Sequence, residues 1–338
     1  MKCLYLMCLY FLIQIQLGSL ADDEVMMAEC RAIHIDGIFC DIENEMLYYI
    51  DTFAATVYKQ YDWHTIIKKY KLEGRNSAAV IIPFRKNNDE LIVAADRYLY
   101  KLTWPNLRVP NFNRVTGNGS IELLMKVDDL EPTEQFNYGK VDSKGRLWLG
   151  TIKRNKDLSL ASENSNFYVF DGNDLGNFRK IATNVTNGMT WSNDGKRLYT
   201  SVSSQRLVFC YDFEEKTGSI DDQRIVFDMR NHPKLTGTPY GMTTDSSDNL
   251  WIALYEGHRV INVNPRTSKV IKVIEMFATY LTSVCLGGFR GNLLYVGTSK
   301  RFLNASILRP DDRDLLGCVL AVYVKPAAKQ SDKKFNGT

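Results

Sequence analysis

A surplus of charge of one sign is nearly absent from this chain: 42 Lys plus Arg stand against 39 Asp plus Glu, a net +3 over 338 residues. A surplus that small, with no basic run, leaves no electrostatic footprint for a polyphosphate, so nucleic acid is not expected as a partner. Histidine is scarce. His34, His64, His232 and His258 are scattered and no Cys-x-x-Cys pair occurs, so the spacing of a structural zinc site is missing. Of the seven cysteines, Cys3 and Cys8 fall within residues 1–21, leaving Cys30, Cys40, Cys210, Cys285 and Cys318, an odd number. At least one thiol then stays free or pairs between chains, and the fold relies on its own core rather than on a disulfide framework. Which of Cys30, Cys40 and Cys318 pair is open at this point. Beyond the N-terminus no apolar run is long enough to span a bilayer, and no Pro-, Gly- or Ser-rich linker divides the chain near its middle.

The first 21 residues do carry an apolar run. They read as one Lys, an apolar stretch from Cys3 to Leu17 and then Gly18-Ser19-Leu20-Ala21, the pattern of a cleaved secretory signal. Gln14 and Gln16 interrupt the stretch, which falls short of the ~20 residues a membrane span requires. The expectation is a secreted, extracellular protein, monomeric and without membrane association once the signal is removed. Residues 22–325 form the folded unit and 326–338 a polar C-terminal tail. Sequons at Asn118, Asn184, Asn304 and Asn336 are glycan acceptors where they lie in exposed loops.

Aromatic residues make up 12% of the chain, with 18 Tyr among them, a composition that suits the pleated surface of strands. Six segments repeat a turn of small or charged residues followed by a short strand, marked by Leu47, Leu91, Leu147, Leu198, Leu250 and Leu294. The successive spacings are 44, 56, 51, 52 and 44 residues, which fits one four-stranded propeller blade per repeat. A second alternating segment follows each: Val57–Trp63, Tyr98–Trp104, Phe167–Asp171, Leu207–Asp212, Val260–Asn264 and Val319–Val324. Thr65 to Tyr70 reads as one helical turn at most, or a loop. Two tandem β-domains would also repeat six times, but the missing linker favours one all-β, six-bladed ring. Closing a ring usually requires strands from both chain ends to share a blade, so Val319–Val324 is expected to meet the segment near Cys30 to Ile38.

In such a ring the residues ahead of each hairpin face the central channel. Four of these stretches carry a polar residue and then glycine, directly or one position on: Asp36-Gly37, Asn137-Tyr138-Gly139, Asn187-Gly188 and Tyr240-Gly241. Glycine permits close backbone approach or positive φ while its neighbour faces the channel. Taken singly, each stretch is equally a tight turn that closes its blade.

Together, Asn187-Gly-Met-Thr-Trp191, Phe136-Asn137-Tyr-Gly-Lys-Val-Asp142, Pro239-Tyr-Gly-Met242 and Thr282-Ser-Val-Cys-Leu-Gly-Gly288 resemble the SMP-30/gluconolactonase/luciferin-regenerating-enzyme family, which includes regucalcin. The resemblance implies a six-bladed propeller with one divalent cation, calcium or zinc, in the channel, and hydrolysis of sugar lactones and related cyclic esters. It implies metal ligands at Asp36, an Asp where the family usually has Glu, and at Asn187. Where the family keeps an Asp that is both ligand and base, this chain has Tyr240, whose phenol has an unperturbed pKa of about 10 and ligates calcium poorly. His34, two residues from Asp36, is an alternative nitrogen ligand on the same strand face. The substrate-binding positions implied are Gln135, Asn137, Tyr138 and Tyr240, with Gln135 and Tyr138 replacing an Arg and an Asp. The family's acidic lid position falls at Arg154 or Asn155. Two functions follow as expectations. One is a lactone hydrolase using Asp36 and Asn187 with a metal and Asn137 on substrate. The other is a protein with reduced or lost catalysis, in which Tyr138 and Tyr240 narrow the channel around a small aromatic or amphipathic ligand.

Overall fold

The six turn-and-strand repeats fold into six antiparallel sheets, each built on a run of four strands from the axis outward. In this computed structural model the described residues are 25–27, 32–61, 67–105, 119–157, 159–288, 290–301, 303, 306–308, 315–325 and 332–337. The signal expected over residues 1–21, Cys30, and the sequons at Asn118 and Asn304 lie outside them. The innermost strands are Ile35–Asp41, Val80–Pro83, Glu134–Val141, Gly188–Trp191, Thr238–Thr244 and Leu281–Gly287. Each packs against the next, and the last packs against the first, so the sheets are blades of one closed propeller.

The marked leucines explain the repeat. Each lies at or one residue into the second strand of its blade, and all six are buried. In two blades the turns before them are held by buried carboxylates. In the third blade Asp142 accepts hydrogen bonds from the Lys144 and Arg146 amides and, at 3.0 Å, from Trp148 Nε1. In the fifth blade Asp245 does the same for the Ser247 and Asn249 amides, Trp251 Nε1 at 3.1 Å and Asn262 Nδ2 at 3.2 Å. A turn residue thereby fixes both its own hairpin and the large side chain beneath it.

Two expectations are corrected. Ile67–Lys71 is the outermost strand of the first blade, not a helical turn or loop. Its Lys-rich face had obscured a pattern suited to an exposed edge. Ring closure also differs from the expected pairing. Val319–Tyr323 pairs with Val25–Met27, while Ile35–Asp41 is the innermost strand of the first blade. Both chain ends do share a blade, at its outer rim. On the inner side the seam carries a disulfide between Cys40 and Cys285, with Cα atoms 6.2 Å apart. Cys318 is also disulfide-bonded, and Cys210 is a free, buried thiol. Within the segment expected as a tail, residues 332–337 pack against the ring. Phe335 is buried against Phe84, and Lys334 Nζ lies 2.8 Å from Asp41 Oδ2.

Replacing Asp245 with Ala strands the buried Trp251 and Asn262 donors, and the expected loss of stability is about 3 kcal/mol. The same change at exposed Asp174 is expected to cost within about 0.5 kcal/mol. Urea unfolding of the two variants checks this.

Candidate functional site

The N-terminal ends of the inner strands gather at one end of the channel, around a cavity of about 380 Å³ whose lining includes His34, Phe53, Arg154, Asn187, Tyr240 and Tyr255. Local backbone irregularity re-aims Tyr240 and two residues near the cavity, Asp36 and Asn137. Pairing slips between Asp36 and Phe39, between Phe136 and Tyr138, and between Pro239 and Met242. A bulge bends the strand and re-aims the side chain it carries, and these three slips fall at Asp36, Asn137 and Tyr240. Asn187 immediately precedes its strand, Gly188–Trp191. Neighbouring strands approach closely here. A Cβ at Gly188 would collide with the Tyr240 carbonyl oxygen, and one at Gly241 would stand 2.5 Å from Ser283 Cα, so the glycines serve that approach rather than only closing turns.

The structure brings Asp36, Asn137, Asn187 and Tyr240 together. Asp36 is buried; its Oδ1 accepts the Gly37 amide at 2.8 Å and its Oδ2 lies 3.6 Å from His34 Nε2. His34 Nδ1 is 2.8 Å from Ser299 Oγ, and the ring sets its edge against Phe53 and Tyr240. His34 therefore does share the face of Asp36. The buried Asp51 carboxylate positions this corner by accepting the amides of Ile33, His34 and Ala54. Asn137 Nδ2 donates to Asn187 Oδ1 at 3.0 Å and to the Thr186 carbonyl at 3.2 Å, while Asn187 Nδ2 donates to Ser203 Oγ at 2.8 Å. Tyr240 stacks on Tyr255, with centroids 5.3 Å apart.

The remaining expected residues sit elsewhere. Tyr138 is buried in the apolar packing of Trp148, Phe167 and Met189, below the mouth. Its phenol is raised well above its ordinary pKa by burial, then by the Asp36 and Asp332 carboxylates. Gln135 is half-buried opposite Ile152 and is not among the residues lining the mouth. Of the two lid positions, Arg154 lines the mouth, its guanidinium 5.2 Å from the Phe53 ring centre; Arg301 stands 4.9 Å from the same ring. Phe53, Tyr255 and Arg301 escape a reading confined to the residues ahead of each hairpin. Tyr255 ends the second strand of its blade and Phe53 and Arg301 lie just past theirs, where no shared motif marks them.

The electrostatics are those of a neutral phenol beside a cation. Tyr240 is raised well above its ordinary pKa by burial and then by Asp36 and Tyr255, so it carries no charge at neutral pH. Arg154 is lowered by burial, with Arg301 adding to the effect, while Tyr240 and Asp36 oppose it. Such a set does not suit a divalent cation. Calcium takes roughly six to eight oxygens, with carboxylates supplying the charge. Here the buried Asp36 is shared with His34, the Asn187 carbonyl already accepts from Asn137, a guanidinium lines the cavity, and the carboxylates that line it, Glu163 and Glu256, are exposed. Among the described residues no group of three or more His, Cys, Asp or Glu is placed to hold a metal.

Residues 35–300 match the family model described as the SMP-30/gluconolactonase/LRE-like region, and the chain belongs to that family. A regucalcin of Xenopus laevis is 33% identical over 180 residues, covering 52% of this chain and 58% of the frog protein, so the match spans little more than half of that relative's length. A solved luciferin-regenerating enzyme superposes with a TM-score of 0.79 at 26% identity, over 93% of this chain and 99% of its own. A calcium-binding regucalcin from Agrobacterium tumefaciens shares the fold with a TM-score of 0.72 at 15% identity, over 91% of this chain and 94% of its own. The all-β six-bladed architecture and the family are thus established.

If burial and Asp36 hold the Tyr240 phenol neutral, alkaline titration at the tyrosinate absorbance should show no difference between wild type and Tyr240→Phe below about pH 10.5. A step near pH 10 that the variant lacks would refute this account of the phenol.

Proposed function

We propose that the chain is a secreted propeller that has lost most or all of the lactone hydrolysis of its relatives and holds a small molecule at the channel mouth. The observation that carries this is Tyr240, a neutral phenol stacked on Tyr255 at the position where the family resemblance calls for a carboxylate that is both metal ligand and base. Loss of a general base alone costs about 10²- to 10⁴-fold in rate, before a weakened metal site is counted. Flat aromatic walls around a cavity of about 380 Å³ favour small-ligand binding. The disulfides at Cys40–Cys285 and at Cys318 support an oxidising, extracellular location. Among the described residues no helix is long and apolar enough to cross a membrane.

Asp36, Asn137 and Asn187 converge at the same end of the channel, which favours a second reading, an active lactonase that uses calcium or zinc on Asp36 and Asn187. In that reading the cation would polarise the lactone carbonyl and Asn137 would orient the substrate.

Calorimetric titration of calcium and of zinc into EDTA-treated protein, with gluconolactone hydrolysis measured alongside a family lactonase, separates the two. No metal binding at micromolar concentrations and turnover at least about 10²-fold below the reference are expected. Tyr240→Asp is expected to gain metal affinity. Wild-type hydrolysis at the reference rate, unchanged in Tyr240→Asp, would establish the second reading instead.

A further inference from the structure

Of the four glycan acceptor sequences, two have their asparagines among the described residues, Asn184-Val185-Thr186 and Asn336-Gly337-Thr338, and the fold treats them differently. Asn336 is packed onto the ring. Its amide donates to the Gly145 carbonyl at 3.1 Å, and a Cβ at Gly145 or Gly172 would strike it. Asn184 ends Phe178–Asn184, the outermost strand of the third blade, beyond which that sheet has no further strand. Side chains alternate between the two faces of a strand. Ile181 packs against the aromatic core of Tyr138, Trp148 and Phe167, and Thr183 shares its face; Asn184 shares the other with Lys180 and Ala182, both exposed. Asn164, which stands opposite Asn184 across the strand pair, is exposed as well. Thr186 Oγ1 donates to the Asn184 carbonyl at 3.2 Å, while the Asn184 side-chain amide has no hydrogen-bond partner among the described residues. An N-linked glycan is bulky and hydrophilic and needs open surface where it is rooted. Burial of Thr186 is no obstacle, because the transfer acts on the chain before it folds, and the folded protein need only leave the sugar a way out.

We propose that Asn184 is an N-glycosylation site and that its glycan is rooted at the rim of the channel mouth. Val185 and Asn187, which follow it in the chain, line the cavity, and the Val185 amide donates at 2.9 Å to the carbonyl of Glu163, another lining residue. The sugar therefore starts one residue from the cavity wall. In the modification Asn184 Nδ2 bonds to the anomeric carbon of an oligosaccharide, the bond from that carbon to a lipid pyrophosphate breaks, and the amide gives up one proton. Both the oligosaccharyl donor and its transferase belong to the secretory pathway, so the inference rests on reading the chain as secreted.

The test expresses the full-length chain behind its own leader in mammalian cells and maps each acceptor separately in the cells and in the medium. Glycans are removed with an amidase in heavy-oxygen water, which turns every formerly glycosylated asparagine into a labelled aspartate, and the peptides are read by mass spectrometry. Wild type and Thr186→Ser from the medium are expected to carry the label at Asn184. Asn184→Gln and Thr186→Val should lose it and run one glycan lighter than wild type on a denaturing gel. An unlabelled Asn184 in wild type from the medium would overturn the proposal, and because the wild-type peptide decides, a variant that fails to fold does not weaken the test. Retention of the chain in the cells counts against secretion alone. The same mapping on a chain led by a heterologous cleavable signal then judges Asn184, label there supporting the site and its absence overturning it.

Discussion

Six strands converge on one axis, and the closeness of their packing there governs both the ring and what the ring can hold. Strands from adjacent blades meet backbone to backbone at Gly188 and Gly241, where a side chain would strike the neighbouring strand. Gly37, at φ +55°, makes the corresponding turn in the first blade. The residue before each of these glycines is Asp36, Asn187 or Tyr240. The geometry that lets the blades close is therefore the geometry that delivers three side chains to one point. It depends on glycine and not on the chemistry of the residue beside it, so position 240 can carry a phenol as readily as another side chain without disturbing the frame.

A phenol at position 240 sets the charge balance of the whole mouth. Two carboxylates near a channel axis need a cation between them or a shared proton, because like charges this close cannot both stay ionised unaided. With Tyr240 neutral, the Asp36 carboxylate beside it is met by local groups, one amide and one imidazole. Arg154 and Arg301 beside Phe53 then add positive charge where the family resemblance led one to expect an acidic lid. The phenol at 240 and the arginine at 154 are consistent with each other. A guanidinium lining the cavity opposes a divalent cation, and a missing carboxylate removes the reason to bind one.

Much of the fold was legible because its signals are local and repeated. A hairpin turn with a leucine at its far side recurs at a nearly constant spacing, and each of those leucines is buried by its own blade. What depended on distant partners was harder to read. The outer strand Ile67–Lys71 carries three lysines in five residues and little periodicity, and the closing strand Val25–Met27 is too short to mark itself. At the site, Asp36, Asn137, Asn187 and Tyr240 could be named because a glycine tags each one. Tyr138 was harder to place: the bulge at Phe136–Tyr138 turns Asn137 toward Asn187, while the Tyr138 phenol is buried below the mouth, within reach of Asp36 and Asp332. Phe53, Tyr255 and Arg301 come from the far ends of second strands and the loops after them, which share a rim but no sequence motif.

The seam between the first and last blades ties these observations together. It is crossed at the outside by Val25–Met27 pairing with Val319–Tyr323 and at the inside by Cys40–Cys285, which closes a loop of 245 residues. In a chain-entropy account such a long loop places the crosslink near the upper end of what a disulfide contributes. Below it, Asp332 accepts the Cys40 amide and lies 3.6 Å from Lys140 Nζ, which draws the C-terminal segment across the lower end of the channel. Above it, His34 from the first blade meets Ser299 from the last at 2.8 Å, and Thr282 Oγ1 donates to the Ile35 carbonyl. His34 in turn faces Asp36. The corner that fixes this carboxylate is thus assembled from both ends of the chain, so the position of Asp36 is set by closure of the ring as much as by its own strand.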